Sequence, residues 1–433
     1  MALPHATAGI LSIGDELTLG QNLDTNSQWL SQQLVARGIT PIEHTTVADS
    51  LAATRDALLR LAASCDVLIV SGGLGPTADD LTRGALAAAM DDTLVEDPES
   101  MAQIAAWFAG RTRPMPPLNR VQALRPSRAA AIANPAGTAP GIQGMLSIRG
   151  REVDVFCLPG PPREMRPMFQ RHVAPRLRAA RMVRTRALLT FGLGESEIAM
   201  RLGELMSRNQ SPLVGTTASQ GVVACRIRYD GAPGQGDDEA AAAIAKVEAK
   251  IREVLGPYVF GVEGDSLQSV VLGLLASRGE TLATVESCTG GLAGALLTEV
   301  PGSSAVYAGG FVTYSNRLKE QLVGVPGSLL APGGPGAVSR DVAEAMARGG
   351  RERLGTGWSI AITGIAGPDG GTPEKPVGTV WIAVASRDAV WSRKFLFAGE
   401  RAYVRDLAAS SSLAMLRLAL IGEVDLPLIR QVM

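Results

Sequence analysis

The 433-residue chain is poor in the residues that most often carry out chemistry. It has three histidines, His5, His44 and His172, so a nucleophile in the C-terminal half has no local imidazole to activate it. Of its 41 basic residues only five are lysines: Lys246, Lys250, Lys319, Lys375 and Lys394. Arginine stays protonated and cannot act as a base, which leaves this short list as the nitrogen bases. Four cysteines (Cys65, Cys157, Cys225 and Cys288) are widely separated with no CxxC spacing. That argues against a disulfide framework or a structural zinc site and fits a reducing compartment. The net charge is −1, so there is no basic field for nucleic acid or an anionic membrane, and no direct nucleic-acid partner is expected. No apolar run is long enough to span a bilayer; the best, Leu413 to Ile421, is interrupted by Arg417. The opening MALPHATAGI has neither a basic region nor a long apolar core, so no signal peptide and a cytoplasmic location are expected.

Apolar residues make up 46% and charged residues 19%, a globular balance, and the length exceeds one compact core. Strands are predicted at Ala8–Ile13, Ile42–Val47 and Asp66–Val70, alternating with helices at Asn26–Arg37, Leu51–Ala63 and Leu81–Met90. This order implies a parallel sheet with ligands at its carboxyl edge. Two more apolar runs, Met145–Ile148 and Val153–Leu158, precede a boundary near Arg176. Residues 177–260 read as a small α+β module. The Gly192–Gly194 turn suggests a KH-like loop, but without a basic cluster the module reads as a spacer or dimer-forming unit. From Leu267 a second α/β pattern runs to a final helix near Tyr403–Leu420. The expected fold class is therefore α/β: two α/β sheet domains, 1–176 and 261–433, joined by the α+β module.

The best-specified chemistry follows the strand Thr281–Val285. Glu286-Ser287-Cys288-Thr289-Gly290-Gly291 forms a strand-to-helix turn whose free N–H groups suit an oxyanion or phosphate, although an N-cap and tight turn explain the hexapeptide equally well. A lysine can deprotonate a serine if burial lowers its pKa. Lys319 follows the polar turn Tyr314-Ser315-Asn316, yet taken alone it reads as a solvated helix-face lysine. Cys288 is a rival nucleophile if an electropositive partner stabilises its thiolate, or else a small buried residue.

ESCTGG (286–291), VPGSS (300–304), GGFVTYSNRLK (309–319), GAVS (336–339), TGIAGPDGG (363–371) and KPVGTVW (375–381) together resemble the CinA C-terminal domain, the nicotinamide mononucleotide (NMN) deamidase family. The resemblance implies Ser287 as nucleophile, Tyr314 as an assisting residue and Lys319 as base. Thr363 would hydrogen-bond Lys319 or the substrate. Backbone N–H groups near Gly290 and Gly364 would hold the oxyanion. Thr289, Gly291 and Gly367 join these as substrate-binding candidates, with Arg401 and Arg405 for the phosphate. No cofactor is expected for this amidase. One departure from the family pattern is Pro335, where a histidine is expected.

In the N-terminal part, Asp15, Glu16, Asp24, Asp79 and Asp80 fall at or beyond predicted strand ends, as do Asn26 and the loop of Gly72, Gly73, Gly75 and Thr77. Glycine N–H groups cradle phosphates and carboxylates hold Mg²⁺ or a similar divalent ion, although Thr77 with Asp80 also fits a capping box. With NPAGTAPG (134–141) and LPGPPREM (158–165), these motifs resemble the CinA N-terminal domain, which is related to the MoaB/MogA-like molybdopterin-binding fold. The resemblance implies a metal-dependent ADP-ribose pyrophosphatase or, alternatively, a non-catalytic molybdopterin- or nucleotide-binding module. It also implies a homodimer. A competence-associated scaffold is a third reading.

Overall fold

The computed structural model describes residues 4–111, 114–178, 182–231 and 236–432. It begins with β1 (Thr7–Ile13), α1 (Asp15–Thr18), α2 (Thr25–Val35), β2 (Thr40–Val47), α3 (Leu51–Ala62), β3 (Val67–Ser71) and α4 (Thr82–Ala89). Then follow β4 (Leu94–Glu96), α5 (Pro98–Ala109), β5 (Leu124–Pro126), β6 (Ala130–Ile132), β7 (Gly141–Ile148), β8 (Arg151–Leu158) and α6 (Pro162–Met168). The six-stranded sheet has the order β2-β1-β3-β8-β7-β6. Its first four strands are parallel, and β7 and β6 complete it in antiparallel fashion. β3 is buried along its whole length, as a parallel strand covered on both faces must be. Successive residues feed opposite layers: Leu11, Leu68 and Val155 join one core, and Ile10, Ile69 and Phe156 the other.

The middle module consists of β9 (Val183–Phe191), α7 (Glu195–Leu202), β10 (Leu213–Ser219), β11 (Val222–Asp230), α8 (Asp237–Leu255) and β12 (Val259–Val262), with sheet order β10-β11-β9-β12. Sequence patterning does not reveal β10, because this edge strand is largely exposed and carries little apolar alternation.

The C-terminal elements are α9 (Leu267–Arg278), β13 (Leu282–Glu286), α10 (Leu292–Thr298), β14 (Tyr307–Val312), α11 (Asn316–Val323), α12 (Gly327–Leu330), α13 (Arg340–Leu354), β15 (Trp358–Gly364), β16 (Thr379–Ala385), β17 (Val390–Leu396), α14 (Arg401–Leu420) and β18 (Gln431–Val432). The sheet order is β14-β13-β15-β16-β17-β18. β14, β13 and β15 are parallel, and the rest are antiparallel. α9, α10 and α14 pack on one face through Leu275, Leu297 and Leu413 against Ile360 and Ile382. α11 and α13 pack on the other through Val323, Val342 and Met346 against Val285, Ala361 and Ala383.

α13 is absent from the predicted elements, since its Gly349-Gly350 pair interrupts the helical pattern. The pair has a packing reason. A Cβ on Gly350 would overlap the Val285 side chain, and one on Gly349 would overlap the Val323 carbonyl oxygen. The glycines thus let α13 lie against β13 and the end of α11, the two elements that carry the site described below.

The chain divides into two compact units, Met1–Arg184 with Tyr229–Ala241, and Thr185–Arg228 with Ala242–Met433. Among the described residues no helix is long and apolar enough to cross a membrane.

Candidate active site

β13, β14 and β15 end side by side, and their loops leave from the same carboxyl edge, where ligands bind in open α/β sheets. Two backbone bonds hold the exits in register: Ser287 N–H donates to Ile362 O at 2.9 Å, and Thr313 N–H to Glu286 O at 2.8 Å. Ser287 is the first residue beyond β13, and Lys319 lies on α11, whose N-cap is Ser315. Lys319 Nζ lies 3.0 Å from Ser287 Oγ and donates to the Thr313 carbonyl at 2.8 Å. The lysine is 1% exposed and has no carboxylate partner among the described residues. Burial pushes its pKa below the ordinary lysine value, favouring the neutral amine that a base requires. A solvated helix-face lysine is thereby excluded. Thr313 acts as an orienter: its carbonyl takes one N–H and leaves the amine's lone pair for the serine proton.

The helix start after this turn does not supply the expected anion site. Glu286, 1% exposed, folds its carboxylate back onto α10 and accepts from Gly291, Ala293 and Gly294 N–H at 2.9–3.0 Å. Gly290 N–H donates to Ser287 O at 3.0 Å. The Gly290, Gly291, Ala293 and Gly294 donors are therefore taken, and the expected oxyanion role of the Gly290 N–H itself is corrected. Both Gly290 (φ 65°) and Gly291 (φ 96°) adopt the left-handed conformation that this tight return requires. Cys288 is also corrected as a nucleophile, since burial pushes its thiol up to about 12.

A cavity of about 280 Å³ opens over Ser287 and Lys319. Its opposite wall is Gly364 to Gly367, with Ala337, Tyr314 and Arg401 around the mouth. Three other expectations change. Thr363 Oγ1 donates to Ala337 O at 2.7 Å, so it anchors the 336–339 loop rather than Lys319, while the residue itself lines the cavity. Thr289 is fully buried and lines no part of the cavity. Arg405 donates to Thr289 O at 2.8 Å and stays outside the lining. Arg401 does reach the mouth, where it holds Gly367 O at 2.6 Å and the Tyr314 hydroxyl at 2.9 Å. The loop carrying Pro335 is well tied: Lys375 Nζ donates to Pro335 O at 2.7 Å and Gly336 N–H to Leu329 O at 3.0 Å. Glu286 and the Thr313 carbonyl are the participants that the residue reading missed. An acid just before a helix-starting turn was a usable signal for the first; a main-chain oxygen leaves none.

In the N-terminal unit a cavity of about 350 Å³ is lined by Glu16, Asp49, Gly72, Gly73, Gly75, Asp79 and Asp80, and another of about 560 Å³ by Asp24, Asn26 and Ser71. Most of the expected ligands are engaged within the fold. Asp80 accepts from Gly75 N–H at 2.6 Å and from Thr77 N–H and Oγ1 at 2.8 and 2.6 Å, which is the capping arrangement. Asp24 caps α2 through Ser27. Asp15 and Asp49 exchange backbone-to-carboxylate bonds at 2.9 and 3.0 Å. Asn26 Nδ2 bridges Ser71 Oγ and Gly160 O. Among the described residues no three acidic, histidine or cysteine side chains are grouped to hold a metal ion. The donor set therefore does not fit a protein-caged divalent ion. Glu16, Asp79 and Asp49 also line the first cavity; Asp49 already accepts from Asp15 N–H, and its pKa is raised first by burial and then by Asp15, Glu16 and Asp79.

Two α/β sheet domains, one carrying a buried serine–lysine pair at its carboxyl edge, define the structural class. Residues 264–420 match the CinA C-terminal domain, residues 9–179 the probable molybdopterin binding domain and residues 185–261 the damage-inducible protein CinA KH domain. The chain belongs to the CinA, or competence-damage inducible, family. A putative competence-damage inducible protein of Symbiobacterium thermophilum is 43% identical over 433 residues, covering 96% of this chain and all of that protein. A CinA-like protein of a Synechococcus species is 42% identical, covering 97% and 100%. The solved competence/damage inducible protein CihA from Agrobacterium tumefaciens is 40% identical over 36% of this chain and 93% of that one, with a TM-score of 0.35.

Proposed function

We propose that the Ser287–Lys319 centre hydrolyses a carboxamide, with nicotinamide mononucleotide as its substrate and nicotinic acid mononucleotide and ammonia as products. The observation that carries this reading is the 3.0 Å contact between a serine hydroxyl and a buried lysine with no carboxylate beside it. Lys319 takes the Ser287 proton as the oxygen bonds to the carboxamide carbon. The proton passes to the leaving nitrogen, ammonia departs, and an acyl-serine ester remains. Lys319 then takes a proton from water, the hydroxide oxygen bonds to the acyl carbon, and the proton returns to Ser287 as the acid leaves. With the Gly291, Ala293 and Gly294 N–H groups occupied by Glu286, we assign the oxyanion to Ala366 and Gly367 on the opposite wall. Tyr314, held by Arg401, stands at the mouth, where it contacts the ring or the ribose phosphate. Ammonia release from NMN by the purified protein, beside Ser287→Ala and Lys319→Ala, tests the reading. Release by the wild type and by neither folded variant supports it; an inactive wild type sinks it.

For the N-terminal cavity the engaged carboxylates favour nucleotide or molybdopterin binding over a metal-dependent pyrophosphatase. Asp15, Asp24 and Asp80 are committed to turns and caps, which leaves no acidic cage for a metal among the described residues, while the glycine loop lines the cavity. Incubation with ADP-ribose and Mg²⁺ separates the two readings, since AMP release would restore the hydrolase.

A further inference from the structure

A cavity of about 270 Å³ lies within the C-terminal unit, where the middle sheet meets α14, and it shares no lining residue with the Ser287 cavity. Tyr403, Leu407 and Ser411, four residues apart on one face of α14, form its floor, whereas Arg401 of the same helix belongs to the other cavity. The joint is closely built. A Cβ on Gly221 would come within 2.8 Å of Leu407 Cδ2. Ile429 N–H donates to Gly192 O at 2.7 Å and the Tyr258 hydroxyl to Pro427 O at 3.0 Å.

The walls are aromatic, from Phe191, Phe397 and Tyr403, and the rim carries two opposite charges, Glu195 and Arg430. Glu195 already accepts from Thr216 Oγ1 at 2.8 Å. The Arg430 guanidinium lies over Tyr403, 5.4 Å from the ring centre, and reaches its hydroxyl only at 3.3 Å. Among the described residues Arg430 makes no ion pair. Its backbone sits at φ 65°, outside the regions a side-chain-bearing residue prefers, while its carbonyl accepts from Leu396 N–H at 3.0 Å. An unpaired arginine at the edge of an aromatic slot offers a planar anion both a face to stack on and a forked donor. The volume admits one or two rings.

We infer that this cavity binds a small planar aromatic carboxylate, with its ring between Phe191, Phe397 and Tyr403 and its carboxylate on Arg430. The inference is independent of the amidase reading, because binding and not turnover decides it. Benzoate and benzamide, which share a ring but differ in charge, are titrated into the full chain by ligand-observed NMR. Benzoate binds about ten-fold more tightly than benzamide, as expected for a hydrogen bond between charged groups. Arg430→Asn, whose side chain tolerates positive φ, removes that preference. Ala218→Phe, at an exposed edge-strand position on the cavity wall, weakens both ligands. Arg401→Gln leaves the preference for benzoate over benzamide in place, which separates this cavity from the other. Equal affinity for the two probes, binding by neither, or loss of benzoate on Arg401→Gln instead of Arg430→Asn overturns the assignment.

Discussion

The turn after β13 and the loop after β3 are built on one plan and end in different chemistry. Each follows a buried strand of a parallel set, each carries paired glycines, and each has a carboxylate folded back onto its own N–H groups: Glu286 onto Gly291, Ala293 and Gly294, and Asp80 onto Gly75 and Thr77. In both, the backbone donors that invite an anion are wholly or partly satisfied from within. What differs is the residue brought up from the neighbouring element. Beside Ser287 it is a buried lysine without a counter-charge; beside Gly73 it is the carboxylates Glu16 and Asp49. A glycine-rich turn is thus a frame, and the side chain delivered across it decides between covalent chemistry and ligand binding.

Replacing the delivered base breaks this contrast most severely. Lys319→Arg keeps a cation but removes the proton acceptor, and the rate of ammonia release from NMN falls by about a thousand-fold or more. In the wild type the rate rises with pH as Lys319 loses its proton, with a midpoint below the ordinary lysine value of 10.5 because burial lowers it. A pH–rate profile whose limb lies at or above that value would remove Lys319 as base. Next in size is Gly349→Ala, whose Cβ would overlap the Val323 carbonyl; denaturant unfolding should show a loss of about 1–3 kcal/mol, with activity falling as α11 shifts. Asp80→Ala frees the Gly75 and Thr77 donors and should cost about 1–2 kcal/mol in the N-terminal unit, leaving the rate of NMN deamidation unchanged. The smallest effect is expected for Cys288→Ala, since a thiol pushed up to about 12 is not a nucleophile near neutrality; activity within a few-fold of wild type keeps the serine assignment, and a thousand-fold loss would transfer it to the thiol.

Much of this was legible in the residues. The apolar runs at Ala8–Ile13 and Asp66–Val70 correspond to β1 and β3, because parallel strands buried on both faces have few polar positions to blur the signal. The scarcity of histidine and lysine narrowed the possible bases to a few lysines, and the resemblance of ESCTGG and TYSNRLK to the family pattern singled out Ser287 and Lys319. α13 and β10 were hidden for opposite reasons, one broken by the Gly349-Gly350 pair that close packing demands and the other exposed at a sheet edge.

The sequence by itself determined the residue types available for catalysis, the presence of two α/β halves, and the family. Only the tertiary structure decided what each polar group does, because a hydrogen-bond donor or carboxylate has a role only once its competitors are placed. Thr363 found Ala337 instead of Lys319, Arg405 found Thr289 instead of a substrate phosphate, and Asp24 and Asp80 found backbone. Lys319 found burial, a carbonyl and a serine hydroxyl, and desolvation by the surrounding chain, which no local pattern encodes, is what turns an ordinary lysine towards a base.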